Sequence, residues 1–412
     1  MNNAIATRVR EYYRRYKLVP LYMISHFSHH VMTALVAPLL PFIRSEFTLN
    51  YAQSGLLISA FSLSIGVSQV PAGWLADRIG PHVLILIGIS GVAAAGALLG
   101  ASHTYLLLIF SLVLMGVTAG GYHPSAAPLI AASVETKYQG KALGLHIVGG
   151  STSFFLAPLI GVGLAAAWGW RGAFLGLSAP FFVFGIILFL LIRRQQPTTA
   201  KSKPKASTRP EEKTETSTDL PLLIIVMVLT LVSRVLGGSV QAYIPLYLVD
   251  HFGVDEKTAG AFLAIIFSAG FWAAPLGGHI SDRMSAYRLL VFLAVIQGPI
   301  VYLLVVIPYG LGFAGVLLLW GTHMFIRMPA AESFLVSNVP PRIRSTIFGI
   351  YFFAGTELSG LFTPLLGTII DRIGFQITFT IVAVSILILA ILLSILLLLL
   401  GKRQRAVPMG KV

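Results

Sequence analysis

Apolar residues run along this chain in twelve long stretches, at approximately 18–43, 51–76, 83–101, 104–132, 142–167 and 172–192, then 220–249, 258–281, 288–308, 310–338, 345–370 and 375–400. Each has at least about 19 residues, enough at about 1.5 Å per helical residue to cross a hydrocarbon layer about 30 Å thick. Polar residues fall in short breaks between the stretches, with one long exception. RRQQPTTAKSKPKASTRPEEKTETSTD, Arg193 to Asp219, has no hydrophobic period and too little apolar surface to offset its ordering entropy. The pattern predicts an all-α membrane protein of twelve transmembrane helices. Its parts are a lead at 1–17, a six-helix bundle at 18–192, a flexible linker at 193–219, a second six-helix bundle at 220–400 and a tail at 401–412.

Composition agrees. Hydrophobic residues make up 56% of the 412 positions and charged residues 11%, less than half the roughly 25% charged content of a soluble domain. The chain has no cysteine, which excludes disulfides and thiolate chemistry. The formal charge of +14 suggests nucleic acid until its placement is considered. With the N-terminus in the cytoplasm, 23 of the 29 Lys and Arg residues fall on that side. Only Arg44, Arg171, Lys257 and Arg372 fall on the other, and Arg234 and Arg327 lie inside spans. That bias is the positive-inside pattern of a cell-membrane protein with both termini cytoplasmic, so no nucleic-acid partner is expected. The basic lead MNNAIATRVREYYRRYK carries no small-residue cleavage site and reads as retained.

The two halves are copies. GWLADRIGPHV begins at Gly73 and GGHISDRMSAYR at Gly277, and the Gly-x-x-x-Asp-Arg spacing of Gly73, Asp77 and Arg78 returns 205 residues later as Gly278, Asp282 and Arg283. Gly116 and Gly321, Pro124 and Pro329, Gly144 and Gly349, and Gly150 and Gly355 share that offset. A single offset across so many positions implies a parallel duplication. Both Asp-Arg motifs fall in cytoplasmic loops, after spans two and eight. There a carboxylate can pair with arginine or cap a helix, and glycine can let two helices approach closely. Marking a helix end at the interface is the plainer reading for one copy, and two copies at equivalent positions in a duplicated chain favour the functional one.

Gly73-x-x-x-Asp77-Arg78-x-Gly80 in a duplicated twelve-span chain resembles the loop 2–3 signature of the major facilitator superfamily of secondary transporters. The resemblance covers nearly all of 18–400. It implies two pseudo-symmetric bundles around a central cavity lined by spans one, four, seven and ten. It also implies a gating role for Gly73, Asp77, Arg78, Gly278, Asp282 and Arg283, through contacts that stabilise an outward-open state. Pro81 and His82 stand where the family usually has a basic run, which weakens or re-partners that lock. GGYHPSAAPL, Gly120 to Leu129, with SHFSHH near the start, is similar to the fosmidomycin-resistance group of drug exporters. Ala157-Pro158-x-x-Gly161-x-Gly163 partly resembles the exporters' antiporter motif, with Ala157 in place of a glycine. Small residues and proline in membrane helices also serve close packing and kinks.

A charge inside a span costs at least about 2.5–3.5 kcal/mol and calls for a partner or a function. The candidates are Arg234 in span seven, Arg327 and Glu332 in span ten, and Glu357 in span eleven. Internal ion pairs are one reading. Arg327 falls at the repeat position of Tyr122, so the halves present unlike groups, which suits a substrate with an anionic end and a less polar body. Substrate contacts are therefore expected at Arg234, Arg327, Tyr122, His123, Gln241 and His30. Glu357, Glu332 and His26 are the expected proton carriers, because a buried carboxyl or imidazole can trade its proton in the working range. His26 and His30 share a helix face and can clamp a metal, but no cysteine or carboxylate accompanies them in that bundle, and no metal site or cofactor is assigned.

The expected function is secondary transport of a small molecule by alternating access, as proton-coupled export of an amphiphilic or anionic compound. Uptake of an organic anion and a transport-dead sensor on the same scaffold are the alternatives. The sensor would call for an added signalling domain, and none is seen. No phosphate loop of the form Gly-x-x-x-x-Gly-Lys-Ser/Thr occurs, so ATP is not the direct energy source. An intramembrane enzyme would want paired catalytic carboxylates, and the glutamates here are single and remote. The expected partners are the substrate, the proton and the lipid bilayer, and the expected state is a monomer.

Overall fold

The computed structural model describes residues 18–135, 139–195 and 220–406. The expected lead, most of the expected linker and the last six residues of the tail lie outside the described residues. Among those described, every regular element is a helix. Eight helices are long and apolar enough to cross a membrane, or nine when Tyr51–Gln69 and Pro71–Ile79, bent by 50° at their junction, count as one span. Two of these are too long for a single crossing. Ala142–Arg194 has 53 residues, about 80 Å at 1.5 Å per residue, and it turns back at Gly169, where φ is +72°. Gly374, at φ +77°, does the same between spans eleven and twelve. Both turns need a left-handed backbone, which glycine supplies without a Cβ clash, and they lie 205 residues apart. Val19–Ala34 and Val36–Phe47 cover the stretch expected as span one. The described helices are consistent with the expected twelve.

The helices are apolar all round, as lipid requires. Along Tyr105–Ala119, Leu108, Leu112, Met115 and Ala119 are buried while Leu106, Phe110, Val113 and Val117 are exposed on the opposite stripe. With lipid outside, association depends on close packing rather than on expelling water, so small residues sit where backbones meet. A Cβ on Gly116 would lie 2.6 Å from the Phe61 carbonyl oxygen, and one on Gly321 would lie 2.0 Å from that of Ile266. Phe61 and Ile266 are themselves 205 residues apart, so the duplication extends to contacts. Many hydroxyls inside the spans are satisfied on their own helix. Ser64, Ser111, Thr118, Ser178 and Thr230 each donate to the carbonyl four residues earlier.

The chain divides into two units. One comprises Met1–Leu49, Leu56–Lys213 and Asp255–Ala264, and the other Asn50–Gly55, Thr214–Val254 and Ile265–Val412. The first turns of spans two and eight thus belong with the unit of the opposite half. Asn50 and Asp255, again 205 apart, cap these turns by accepting from the backbone N–H of Gln53 and Thr258. In the second unit, Asp371 accepts from the N–H groups of Tyr51 and Ala52 at 2.9 and 3.0 Å, and the Tyr243 hydroxyl donates to the Tyr51 carbonyl at 2.8 Å. In the first unit, Gly260 lets its helix pack on span one, since a Cβ there would lie 2.4 Å from the Pro38 carbonyl oxygen.

Beyond the apolar part of span one, Glu46 accepts from Arg171 Nη1 and, at 2.7 Å, from Trp170 Nε1, while Arg171 Nη2 donates to the Ser102 carbonyl at 2.7 Å. The Arg171 hydrogen bond holds the Glu46 carboxyl below its usual range. A folded-state value below the unfolded one means stability that is present above the unfolded pKa, about 4.3, and lost as pH falls through the folded value. The pair is half-exposed, so it contributes at most about 1 kcal/mol. The melting-temperature gap between wild type and Glu46→Gln should therefore persist from neutral pH down to about 5 and close below about 4. A gap independent of pH would remove the ion pair from the account. Gly321→Val should destabilise by about 1–3 kcal/mol through overpacking against backbone, whereas Gly163→Ala, with nothing within 4 Å of a Cβ, should leave thermal unfolding followed by intrinsic fluorescence unchanged.

Candidate functional site

In the first unit, spans one, four and five gather five histidines. His26, His29 and His30 lie on Val19–Ala34, His123 on Tyr122–Ala132, and His146 in the first part of Gln139–Gln195. His26 stacks on His146 with ring centroids 4.1 Å apart, and His29 stacks on Tyr122 at 4.3 Å. Backbone carbonyls set the rings. His26 Nδ1 lies 2.8 Å from the His146 carbonyl, His29 Nδ1 2.7 Å from that of Gly88, and His146 Nδ1 3.0 Å from that of Tyr22. A carbonyl only accepts, so each Nδ1 carries the proton and each Nε2 the lone pair. The Nε2 atoms of His26 and His29 are buried with no partner among the described residues. Gly88 lies in the π-helical stretch Ile87–Gly91 of span three, where the widened turn suits a carbonyl that bonds a side chain. Gly150 leaves room for the His26 ring, which a Cβ would meet at 2.4 Å.

In the second unit the same positions carry cations. Arg234 is the repeat counterpart of His29 and Arg327 that of Tyr122, each at the offset of 205. Both arginines are half-buried and close enough to repel one another, with Tyr351 in electrostatic reach of each. Arg327 Nη1 is buried without a hydrogen-bond partner among the described residues. Gly355 makes room for Arg234, as its counterpart Gly150 does for His26: a Cβ there would lie 2.6 Å from Arg234 Cδ. Gln241 accepts from Trp320 Nε1 at 3.1 Å. Gln297 donates to the Ser233 carbonyl at 2.7 Å and leaves its Oε1 buried and unpartnered among the described residues.

Several expectations change. Tyr122 is fully buried and shares a 2.7 Å hydrogen bond with Ser25, so it supports the His29 ring rather than offering a free hydroxyl to a ligand. Glu332 is half-buried and makes no ion pair with Arg327 among the described residues, as five-residue spacing on a helix implies. The side chains of Glu357 and Asp282 lie outside those described. Asp77 and Arg78 are exposed, and the Arg78 guanidinium stacks 3.7 Å above the Trp74 ring. The glycines of the loop motifs do not serve close approach here. A Cβ at Gly73 or Gly278 would meet nothing within 4 Å, whereas one on Gly277 would lie 2.7 Å from the Ile326 backbone. In the second motif the close-packing role falls one residue earlier than the motif places it.

The chain matches the family model described as Major Facilitator Superfamily over residues 22–364, most of its length. The chain belongs to the major facilitator superfamily. The facilitator is 28% identical over 343 residues to the multidrug resistance protein MdtG of Enterobacter lignolyticus (strain SCF1), covering 81% of this chain and 80% of that one. It is 27% identical over 360 residues to MdtG of Proteus mirabilis (strain HI4320), covering 84% and 87%. Among solved structures it is similar to a bacterial homolog of the human lysosomal transporter Spinster in an inward-facing, occupied conformation, with a TM-score of 0.75 at 17% identity over 94% of this chain and 96% of that one. A POT family transporter in complex with 5-aminolevulinic acid gives 0.77 at 12% identity over 92% and 96%. Those two likenesses establish the fold alone. The facilitator is thus an integral membrane transporter of small molecules, not an enzyme.

His323 was missed in the sequence. It is buried and bonds the Leu293 carbonyl at 3.0 Å, and Leu293 is the repeat counterpart of Gly88, which receives His29. His323 also precedes Arg327 by one helical turn, a spacing visible in the sequence. If Tyr122 is a support, Tyr122→Phe should keep transport and cost less than about 1 kcal/mol, because Ser25 still bonds the Tyr22 carbonyl. Tyr122→Ala should cost about 3–5 kcal/mol by opening a cavity. Loss of transport in the stably folded Phe variant would return the hydroxyl to the substrate.

Proposed function

We propose that this facilitator exports an amphiphilic compound with an anionic end, in exchange for protons, by alternating access. The observation that carries the reading is Arg327: a guanidinium in the middle of a span, with one nitrogen buried and unpartnered and a second arginine close enough to repel it. Leaving such a donor unmet costs about 1–3 kcal/mol or more, which an incoming carboxylate or phosphonate would recover. Arg234 and Arg327 hold the anion in this reading, and Gln241, fixed by Trp320, borders the less polar body. Glu332 and Glu357 carry the coupling proton. Export is favoured over uptake because the MdtG relatives are named for multidrug resistance. The protein works as a monomer with both termini in the cytoplasm, where the Asp77-Arg78 and Asp282-Arg283 loops take part in gating.

The test uses sealed inside-out vesicles with an imposed pH gradient. Phosphonates of the fosmidomycin type and simple organic acids are added to wild type and to Arg327→Gln. A charge-assisted hydrogen bond is worth about 1.5–3 kcal/mol, so the variant should lose about tenfold or more of the substrate-driven proton flux. Equal flux in both proteins would make Arg327 a structural residue, and an anion that moves without protons would remove the coupling.

A further inference from the structure

The arginine pair accounts for the second unit, but it leaves the histidines of the first unexplained. His26 and His30 stand one turn apart on span one, and span four brings His123 against them. One nitrogen from each ring lies within 4.8 Å of the others. The ring centroids are 4.7 Å apart for His26 and His30, 5.4 Å for His26 and His123, and 5.1 Å for His30 and His123. In a tetrahedral zinc site, metal–nitrogen bonds of about 2.0–2.1 Å put ligand nitrogens about 3.3 Å apart. Side-chain rotations of an ångström or so would close that difference, with no change in the helices.

The chemistry of the three rings narrows the ligand. His26 already has the outer-shell arrangement typical of a metal ligand, with Nδ1–H held by a backbone carbonyl and the Nε2 lone pair buried and unused. Its plane is fixed from below by the stacked His146 and from the side by Gly150. All three donors are nitrogen. Magnesium and calcium take oxygen ligands, whereas imidazole suits zinc, cobalt, nickel and copper. By surface area, His26 is buried, His30 half-buried and His123 the most accessible of the three. A chain of imidazoles passing protons would need ring nitrogens bonded to one another. The hydrogen bonds of His26 and His29 run to carbonyls instead.

We propose that His26, His30 and His123 form a three-nitrogen site for a transition-metal dication of the zinc class, with a fourth position open beside His123. The imidazoles are uncharged, so the ion keeps its double charge and the open position favours an anionic fourth ligand over water. The site is independent of the arginine reading, since it lies within the first unit and shares no residue with Arg234 or Arg327.

The experiment uses the full chain, purified without a polyhistidine tag, in lipid nanodiscs. Zn2+ alone is titrated by calorimetry, and Co2+ alone is followed by its visible absorption, which distinguishes tetrahedral coordination from octahedral. Wild type should take up one equivalent of Zn2+, give a tetrahedral Co2+ spectrum and melt at a higher temperature with Zn2+ than without. His26→Gln and His123→Gln should each weaken binding at least about tenfold, as loss of a ligand or its support does. His251→Gln and His82→Gln, away from the cluster, should bind as wild type. Because His26 is buried and its variant can fail to fold, the decision rests on His123→Gln and His30→Gln, checked by the melting temperature of the metal-free protein. Absence of saturable one-to-one binding, or binding unchanged in those two variants, would overturn the proposal.

Discussion

A hydrocarbon layer holds no water, so every polar group placed in it has to find its partner within the protein. That constraint organises this molecule. It makes all described regular structure helical, so the backbone is satisfied along each span. It turns the hydroxyls of Ser64, Ser111, Thr118, Ser178 and Thr230 back onto their own helices. Against that background the exceptions stand out. Buried and without a hydrogen-bond partner among the described residues are the Nε2 atoms of His26 and His29 and Nη1 of Arg327, as well as Ser125 Oγ and Gln297 Oε1.

The duplication explains how one scaffold carries two chemistries. Glycines at equivalent positions do the same mechanical work in both halves: Gly116 and Gly321 admit a facing backbone, and Gly150 and Gly355 admit a large polar side chain. The side chains so admitted differ. One half presents imidazoles braced by Tyr122, and the other presents the guanidiniums of Arg234 and Arg327. Packing is shared while charge is not. Function on this fold is set by a few residues on a common frame.

The frame was legible in the sequence because it rests on local signals. Apolar run length gave the spans, charge bias separated the loops, and a constant offset exposed the repeat. The intramembrane charges were equally visible, since a lone arginine in an apolar run has no ordinary explanation. What stayed hidden depends on distance between helices. Nothing in the spacing of His123 says that span four sets it against His26 and His30. Nor does the loop motif reveal that Gly277, rather than Gly278, meets the neighbouring helix, because that choice depends on how the helix is rotated about its axis. The bond from His29 to Gly88 depends on a π-helical stretch whose sequence, Ile87–Gly91, reads as ordinary helix. Tyr122 is a related case: its helix position was legible, but its hydrogen bond with the Ser25 hydroxyl was not.

The exchanged first turns of spans two and eight bear on how the protein is made. The first unit includes Asp255–Ala264, so the ribosome must synthesise the linker and all of span seven before that unit has its last piece. At about 5–20 residues per second, the roughly forty residues from 213 to 255 take several seconds. The second unit is in the reverse position: its missing turn, Asn50–Gly55, is made first and waits for Asp371.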